Sequence, residues 1–262
     1  MPGRLLTIDE VAQRLRVHRN MVYRWCRTGR LRTVKLGKQW RIPEDELEGK
    51  LHGSGSEIPF SPGARTGDPQ LDLLLARDAH LVGLVGEPDE VFDVEFAFLS
   101  AGLARNRRLL KACWWQSPAD VRTRLMAGGL DVEALEHSGR LQIHDLAAAF
   151  RAGGSGAAAD VWLRAYREAL AEGSEGLWGA GSPHLECCGG HHDLLAFERT
   201  LDVGLAGRPV MALCTYSLDT AVPGLLGRMI EVISYHGAVY LAGAGRTAAL
   251  TALNDSGCAG WG

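Results

Sequence analysis

The spacing of apolar positions changes character three times along this chain. From Ile8 the apolar residues fall at Ile8, Val11, Ala12 and Leu15, one stripe of an amphipathic helix. Thr7 precedes that stripe and Glu10 follows three positions later, a capping box that marks a helix start. A break at Arg16-Val17-His18 leads to a second helix, Arg19 to Arg27, with Val22, Trp25 and Cys26 turned inward and Arg19, Asn20, Tyr23, Arg24 and Arg27 outward. Gly29 ends it, because glycine takes the left-handed C-cap at little cost. Alternation then replaces the helical period. Val34-Lys35-Leu36 and Gln39-Trp40-Arg41-Ile42 flank Gly37-Lys38, which predicts a β-hairpin. Pro43 opens a last short helix, where its missing N–H costs nothing. Residues 1–51 therefore predict a small winged helix-turn-helix unit.

Residues 52–70, HGSGSEIPFSPGARTGDPQ, lose periodicity altogether and are rich in Gly, Ser and Pro, the composition of a flexible tether. Beyond them, short apolar runs alternate with helical stretches. The predicted strands are His80–Val85, Leu109–Trp115, Leu141–His144, Gly176–Ala180, Pro209–Tyr216 and Ala238–Ala242. The predicted helices are Val91–Arg105, Pro118–Ala127, Asp131–Ser138, Ala157–Glu172, Asp193–Leu205 and Val222–Ser234. Strands separated by amphipathic helices imply crossovers and a mostly parallel sheet covered on both faces. The expected organisation is a winged helix-turn-helix at 1–51, a linker at 52–70, an α/β sandwich at 71–246 and a Gly-rich tail at 247–262. In such sandwiches ligands collect at the carboxyl ends of the strands.

Charge sharpens this division. The chain carries a formal net charge of −3, but residues 1–51 hold 12 Lys+Arg against 6 Asp+Glu. The remaining 211 residues hold 16 against 25, so a basic head of +6 sits on an acidic body of −9. A nucleic-acid reader joined to a domain with another task has this asymmetry. No run of eighteen apolar residues occurs, which argues against a membrane span, and the N-terminus lacks an apolar signal-peptide core. A cytoplasmic setting follows, in which six cysteines serve as thiols, metal ligands or redox groups rather than structural disulfides. Scarce lysine beside abundant Arg, Ala and Gly suggests a GC-rich bacterial genome.

The head residues carry a resemblance. LLTIDEVAQRLRVHRNMVYRWCRTGRLRTVKLGKQWRIPEDELEGKL closely resembles the excisionase-type, MerR-like DNA-binding domain, through its VYR, GRL and WRIP blocks. The resemblance places Arg19, Tyr23 and Arg24 at groove-facing positions and Lys38 and Gln39 at the wing tip. Asn20 and Arg27 lie on the same outward side of the second helix. His18 stands where that family usually carries a capping serine or threonine. No heptad pattern marks a dimerising coiled coil, which leaves dimerisation to the second domain.

Nucleotide signatures are weak. Gly86 follows the first strand of the body, but no Gly-x-x-x-x-Gly-Lys-Ser/Thr occurs. Gly243-Ala244-Gly245-Arg246-Thr247-Ala248 fits a dinucleotide fingerprint loosely, with too little chain after it for a crossover helix and strand. The blocks HLVGLVGEPDEVFDVEFAFLSAGLARNRRLLKACWW, DVRTRLMAGGLDVEALEHSGRLQIHD, RPVMALCTYSLDT and HGAVYLAG resemble the MEDS sensory domain over roughly residues 78–243. That resemblance implies a ligand-sensing module, distantly similar to RecA/KaiC-type domains without their ATP loop. It further implies small hydrocarbon derivatives as the class sensed and an N-terminal DNA-binding domain as a known companion.

One loop carries metal-type chemistry. GAGSPHLECCGGHHDLL sets His184, Glu186, Cys187, Cys188, His191 and His192 within nine positions. Thiolates and imidazoles are ligands for zinc, copper(I) or haem iron, and Gly189-Gly190 lets the chain fold back. Cys187, Cys188, His191 and His192 are the metal candidates, with His184 as a further ligand candidate. Two readings stand open: a loop that binds a transition metal or haem or senses an oxidant, and a structural loop in which the histidines begin a helix and the cysteines pack as small apolar groups. Cys214, in the apolar strand ALCTY, reads as core. Trp114 and Trp115 line either a pocket or the core. Asp145 and Glu186 are not brought together by sequence as an acid and a base, and no Ser-His-Asp set or GxSxG elbow occurs.

The sequence thus predicts a DNA-binding transcriptional regulator, not an enzyme, whose partners are double-stranded DNA, a small-molecule ligand and a second copy of itself. The rivals are a metal, haem or redox sensor built on residues 184–192, an α/β enzyme localised by its head, and a module that sequesters another regulator.

Overall fold

The computed structural model describes residues 4–15, 22, 26, 31–36, 39–44, 68–75, 79–218, 224–243 and 246–251. In the head, β1 (Leu5–Leu6), β2 (Val34–Leu36) and β3 (Gln39–Pro43) form a three-stranded antiparallel sheet in the order β1-β3-β2. Helix α1 (Ile8–Leu15) starts at the predicted capping box. Glu10 N–H donates to Thr7 Oγ1 at 3.1 Å, and Thr7 N–H donates to Glu10 Oε2 at 2.8 Å. Leu6, Val11, Ala12, Val22, Cys26, Leu31 and Ile42 make the small core, with Ile8 and Trp40 packed against it. Val22 and Cys26, one helical turn apart, face inward as their spacing predicts. Arg14 is ion-paired with Glu44, which ties α1 to the end of the hairpin.

The larger part is a three-layer α/β sandwich. Seven strands run in the order β10-β9-β4-β8-β7-β5-β6. These are β4 (His80–Val85), β5 (Arg108–Cys113), β6 (Leu141–Asp145), β7 (Leu177–Gly181), β8 (Val210–Ser217), β9 (Ala238–Gly243) and β10 (Arg246–Thr251). Every neighbouring pair is parallel except β9–β10. The central strands are buried on both faces and therefore read as unbroken apolar runs, HLVGLV in β4 and VMALCTYS in β8.

Alternation along each strand divides the core in two. Leu81, Val85, Leu109, Leu213 and Tyr240 pack under α2 (Pro69–Leu74), α3 (Pro88–Ala104), α4 (Pro118–Ala127) and α5 (Val132–His137). Val82, Leu84, Leu110, Ala212 and Cys214 pack under α6 (Leu146–Ala171), α7 (His191–Leu205) and α8 (Leu225–Ile233). Among the described residues no helix is long and apolar enough to cross a membrane.

Several elements depart from the sequence expectation, beginning with Pro43, which ends β3 in register with Leu5 rather than opening a helix. The tail expected from residue 247 is strand through Thr251, paired antiparallel with β9. Gly243, the first glycine of the loose dinucleotide fingerprint, is therefore the last residue of β9, in register with Arg246. The linker expected to run to residue 70 ends earlier, because Asp68 caps α2, accepting from Gln70 N–H at 2.8 Å. Asp68 also accepts from Tyr240 Oη at 2.7 Å and from Thr247 Oγ1 at 3.2 Å, which docks α2 on β9 and β10. Finally, α6 begins at Leu146 rather than Ala157. Asp145 caps it, accepting from Ala148 N–H at 2.8 Å, and a kink at Gly153 and Gly154 (φ +68° at Gly154) joins the two halves.

Candidate functional site

Sequence placed DNA contacts on Arg19, Asn20, Tyr23, Arg24, Arg27, Lys38 and Gln39. The first six lie outside the described residues, and Gln39 is described by its backbone, as the first residue of β3 paired with Leu36. The hairpin that carries the wing is formed, and Lys35 Nζ sits 5.3 Å from the centre of the Trp40 ring.

Where a RecA-type domain would hold phosphate, after β4, the chain offers Gly86-Glu87 and then enters α3. Glu90 Oε2 accepts from Glu87 N–H at 3.3 Å, so a carboxylate already occupies the positive end of this helix. A phosphate there would meet like charge.

The Cys/His loop follows β7 and packs at the carboxyl edge of the sheet. Its groups turn to separate partners. His184 is exposed, and its Nδ1 accepts from Glu186 N–H at 3.4 Å. Cys187 donates to Trp114 O at 3.4 Å. Cys188 is fully buried in the core, and burial pushes its thiol up to about 12. His191 Nε2 lies 3.1 Å from Glu231 Oε2, and His192 is exposed. Trp114 is core, with its ring against Phe150 and Phe197, whereas Trp115 is exposed. Asp145 serves as the α6 cap and Glu186 is exposed.

A different set of ionisable side chains converges. His80, Glu198, Cys214 and His236 are each 7% exposed or less, and one ligand atom from each lies within 4.8 Å of the others. His80 opens β4. Cys214 lies on the adjacent β8, two residues beyond Ala212, the register partner of His80. Both point to the face covered by α7, whose buried stripe Leu194, Phe197, Leu201 and Leu205 contains Glu198. His236 sits in the turn between α8 and β9, where Gly237 N–H donates to His80 O at 2.8 Å.

The distances are close and reciprocal. His80 Nε2 is 3.3 Å from Glu198 Oε2 and 3.4 Å from Cys214 Sγ. His236 Nε2 is 3.5 Å from the same Glu198 oxygen, and the two imidazole centroids are 4.0 Å apart. Three of the four also face a polar group on the side away from the cluster. His236 Nδ1 donates to Val232 O at 2.8 Å, Tyr216 donates to Glu198 Oε1, and Asp202 Oδ1 lies 3.6 Å from His80 Nδ1.

Burial would strip charge from all four groups. For His80 it works downward, but the neighbouring carboxylates of Asp202 and Glu198 outweigh it and raise the imidazole above its ordinary value. Burial would raise Glu198, yet His80 and His236 hold it below the usual carboxylate value. His236 falls to about 4, through burial and then the charge of His80. Burial and the Glu198 carboxylate lift the Cys214 thiol well above its usual range. Sequence reasoning assigned Cys214 to the core and passed over Glu198 and His236. The available signal was a glutamate on an otherwise apolar helical stripe.

Comparisons with known proteins agree with this architecture. The MEDS family, the MEthanogen/methylotroph, DcmR Sensory domain, matches residues 79–236. A helix-turn-helix domain family matches residues 5–49. No curated protein matches the chain. Among solved structures, a KaiC-like protein from the hyperthermophilic archaeon Pyrococcus horikoshii OT3 is similar, with a TM-score of 0.50 and 16% identity over 69% of this chain and 80% of that one. At that identity the likeness concerns the fold. The quartet of His80, Glu198, Cys214 and His236 falls wholly within the first match, and the chain belongs to the MEDS family of sensory domains, joined here to an N-terminal helix-turn-helix domain.

Proposed function

We propose that the protein is a transcriptional regulator that binds double-stranded DNA through its head as a homodimer and releases or tightens that grip when its MEDS domain takes up a small ligand. The observation that carries this reading is the union, in one chain, of a basic helix-turn-helix head of net +6 with an acidic sensory body of net −9. Arg19, Tyr23, Arg24 and Arg27 are the groove-facing set in this reading, with Asn20 beside them and Lys38 and Gln39 on the backbone or in the minor groove. One small head makes few phosphate contacts, so specific binding calls for two heads on a repeated half-site. Control then requires that the ligand bind one arrangement of the dimer more tightly than the other.

The test selects genomic fragments with the full-length protein and follows their binding by fluorescence anisotropy across a salt series. The expected result is a preferred sequence with repeated half-sites, an affinity that falls steeply with salt, and a loss of binding in Arg19→Ala/Arg24→Ala. A protein that shows no preference over bulk DNA at any salt concentration overturns the reading.

A further inference from the structure

We propose that His80, Glu198, Cys214 and His236 form a buried binding site for a single zinc-class transition-metal ion. The site stands on its own geometry and does not depend on the head's binding to DNA.

The donor set is the first support. Two imidazoles, one thiolate and one carboxylate are ligands that zinc takes in four-coordinate sites. A thiolate and a carboxylate also cancel the charge of a divalent ion, so the filled site is neutral, as a buried site must be to avoid a large desolvation cost.

The spacing is the second. Zinc bonds of about 2.0–2.3 Å give tetrahedron edges of about 3.3–3.8 Å. Three of the six separations, 3.3 Å (His80 to Glu198), 3.4 Å (His80 to Cys214) and 3.5 Å (His236 to Glu198), fall in that range, and all four ligand atoms lie within 4.8 Å of one another. The two nitrogen–oxygen separations exceed the ordinary N–H···O length of about 2.7–3.2 Å. Glu198 Oε2 and His236 Nε2, both buried, make no hydrogen bond. A hydrogen-bonded cluster would have closed these gaps.

Orientation is the third. Metal-bound histidines and carboxylates hold the metal with one atom and are fixed through another. His236 donates Nδ1–H to Val232 O, which leaves Nε2 as the bare lone pair facing the cluster. Tyr216 engages Glu198 Oε1 and leaves Oε2 inward. His80 presents Nε2 inward, and its Nδ1 lies 3.6 Å from Asp202 Oδ1 without a hydrogen bond. Asp202 has a half-exposed side chain at the rim, the one carboxylate of this group in contact with solvent. The cluster is too small for a macrocycle, so the occupant is a bare ion rather than haem.

The full-length protein, purified without an affinity metal and stripped with chelator, is titrated with Co²⁺ alone and then with Zn²⁺. Binding of one equivalent is expected, with tetrahedral d–d bands and a thiolate-to-cobalt band displaced by zinc. X-ray absorption at the zinc edge should show one sulfur at about 2.3 Å and three nitrogen or oxygen ligands at about 2.0–2.2 Å. That measurement needs no variant. Cys214→Ser should remove the charge-transfer band while Cys187→Ser keeps it, and Tyr216→Phe should weaken zinc by about 10–100-fold. No stoichiometric uptake, two sulfur ligands, or a band lost in Cys187→Ser and kept in Cys214→Ser would each overturn the proposal.

Discussion

Tyr216, on β8, donates its phenolic hydrogen to Glu198 on α7, and both side chains are buried. The bond joins the sheet to the helix that covers it and settles which carboxylate oxygen faces the two histidines. Removing the hydroxyl leaves a buried carboxylate oxygen without its donor, and such a group carries its full desolvation cost. Tyr216→Phe, measured by urea unfolding of the metal-free protein, is therefore expected to lose about 1–3 kcal/mol. An unchanged midpoint would mean that solvent reaches Glu198.

A second buried charge sits on the opposite face of the sheet. Lys111 Nζ lies 2.9 Å from Glu95 Oε2, with both side chains 1% exposed. Breaking such a pair from one side strands the partner's charge in the core, at a cost of about 3–5 kcal/mol, whereas replacing both residues by apolar ones is often neutral. Lys111→Met should be severely destabilised, and Lys111→Met/Glu95→Leu should recover most of the loss. A double variant no better than the single one would show that the two residues act independently.

Much of this fold is legible in the sequence because its signals are local. The run His80–Val85 lies between Asp78-Ala79 and Gly86-Glu87-Pro88 in the sequence and is found as β4 with the same limits. Pro118 to Ala127 follows Ser117, which caps it by accepting from Asp120 N–H at 3.1 Å. What escapes is what depends on distant partners. β10, RTAALT, is a short strand of mixed polarity that becomes regular through its register with β9. The first half of α6, LAAAFRAGG, lies outside the helix predicted from Ala157 and ends in two glycines, yet the Asp145 cap and the burial of Leu146 and Ala147 make it helical.

The candidate site shows the same limit more sharply. The loop holding Cys187, Cys188, His191 and His192 is conspicuous because its residues are adjacent, but adjacency sends neighbouring side chains in different directions. His80, Glu198, Cys214 and His236 span more than 150 positions of the chain. They meet because β8 and β9 flank β4 and α7 crosses above. Parallel topology builds the site, and single-sequence periodicity does not encode strand order.

Packing between sheet and helix sets a limit at Gly179 on β7. A methyl group there would lie 2.1 Å from Cζ3 of Trp162, a ring that α6 sends into the core and that is 1% exposed. Overpacking of this kind typically costs about 1–3 kcal/mol, and the indole cannot turn without displacing its neighbours. Gly179→Ala should lower the thermal midpoint clearly. Gly156→Ala, where an added methyl meets nothing within 4 Å, should not. Equal behaviour of the two variants would contradict the tight seating of Trp162.

Two buried thiols give stability a defined dependence on alkaline pH. Burial pushes Cys113 up to about 11 from an ordinary value of 9.0, and Cys26 in the head likewise to about 11. Below pH 9 both the folded and the unfolded chain keep these protons, so the thiols do not discriminate between them. Between about pH 9 and pH 11 the unfolded chain releases them while the folded chain retains them, and the state that binds fewer protons gains as pH rises. Stability should fall across this window and level off above it as far as these groups are concerned. Urea midpoints of the body, followed through its buried tryptophans from about pH 8 to pH 11, test this for Cys113. Other groups titrate in the same range, so the decisive quantity is the slope difference between the parent protein and Cys113→Ala. The variant is expected to be less stable at every pH through its cavity, but its decline should be shallower. Parallel slopes would mean that Cys113 ionises as readily folded as unfolded.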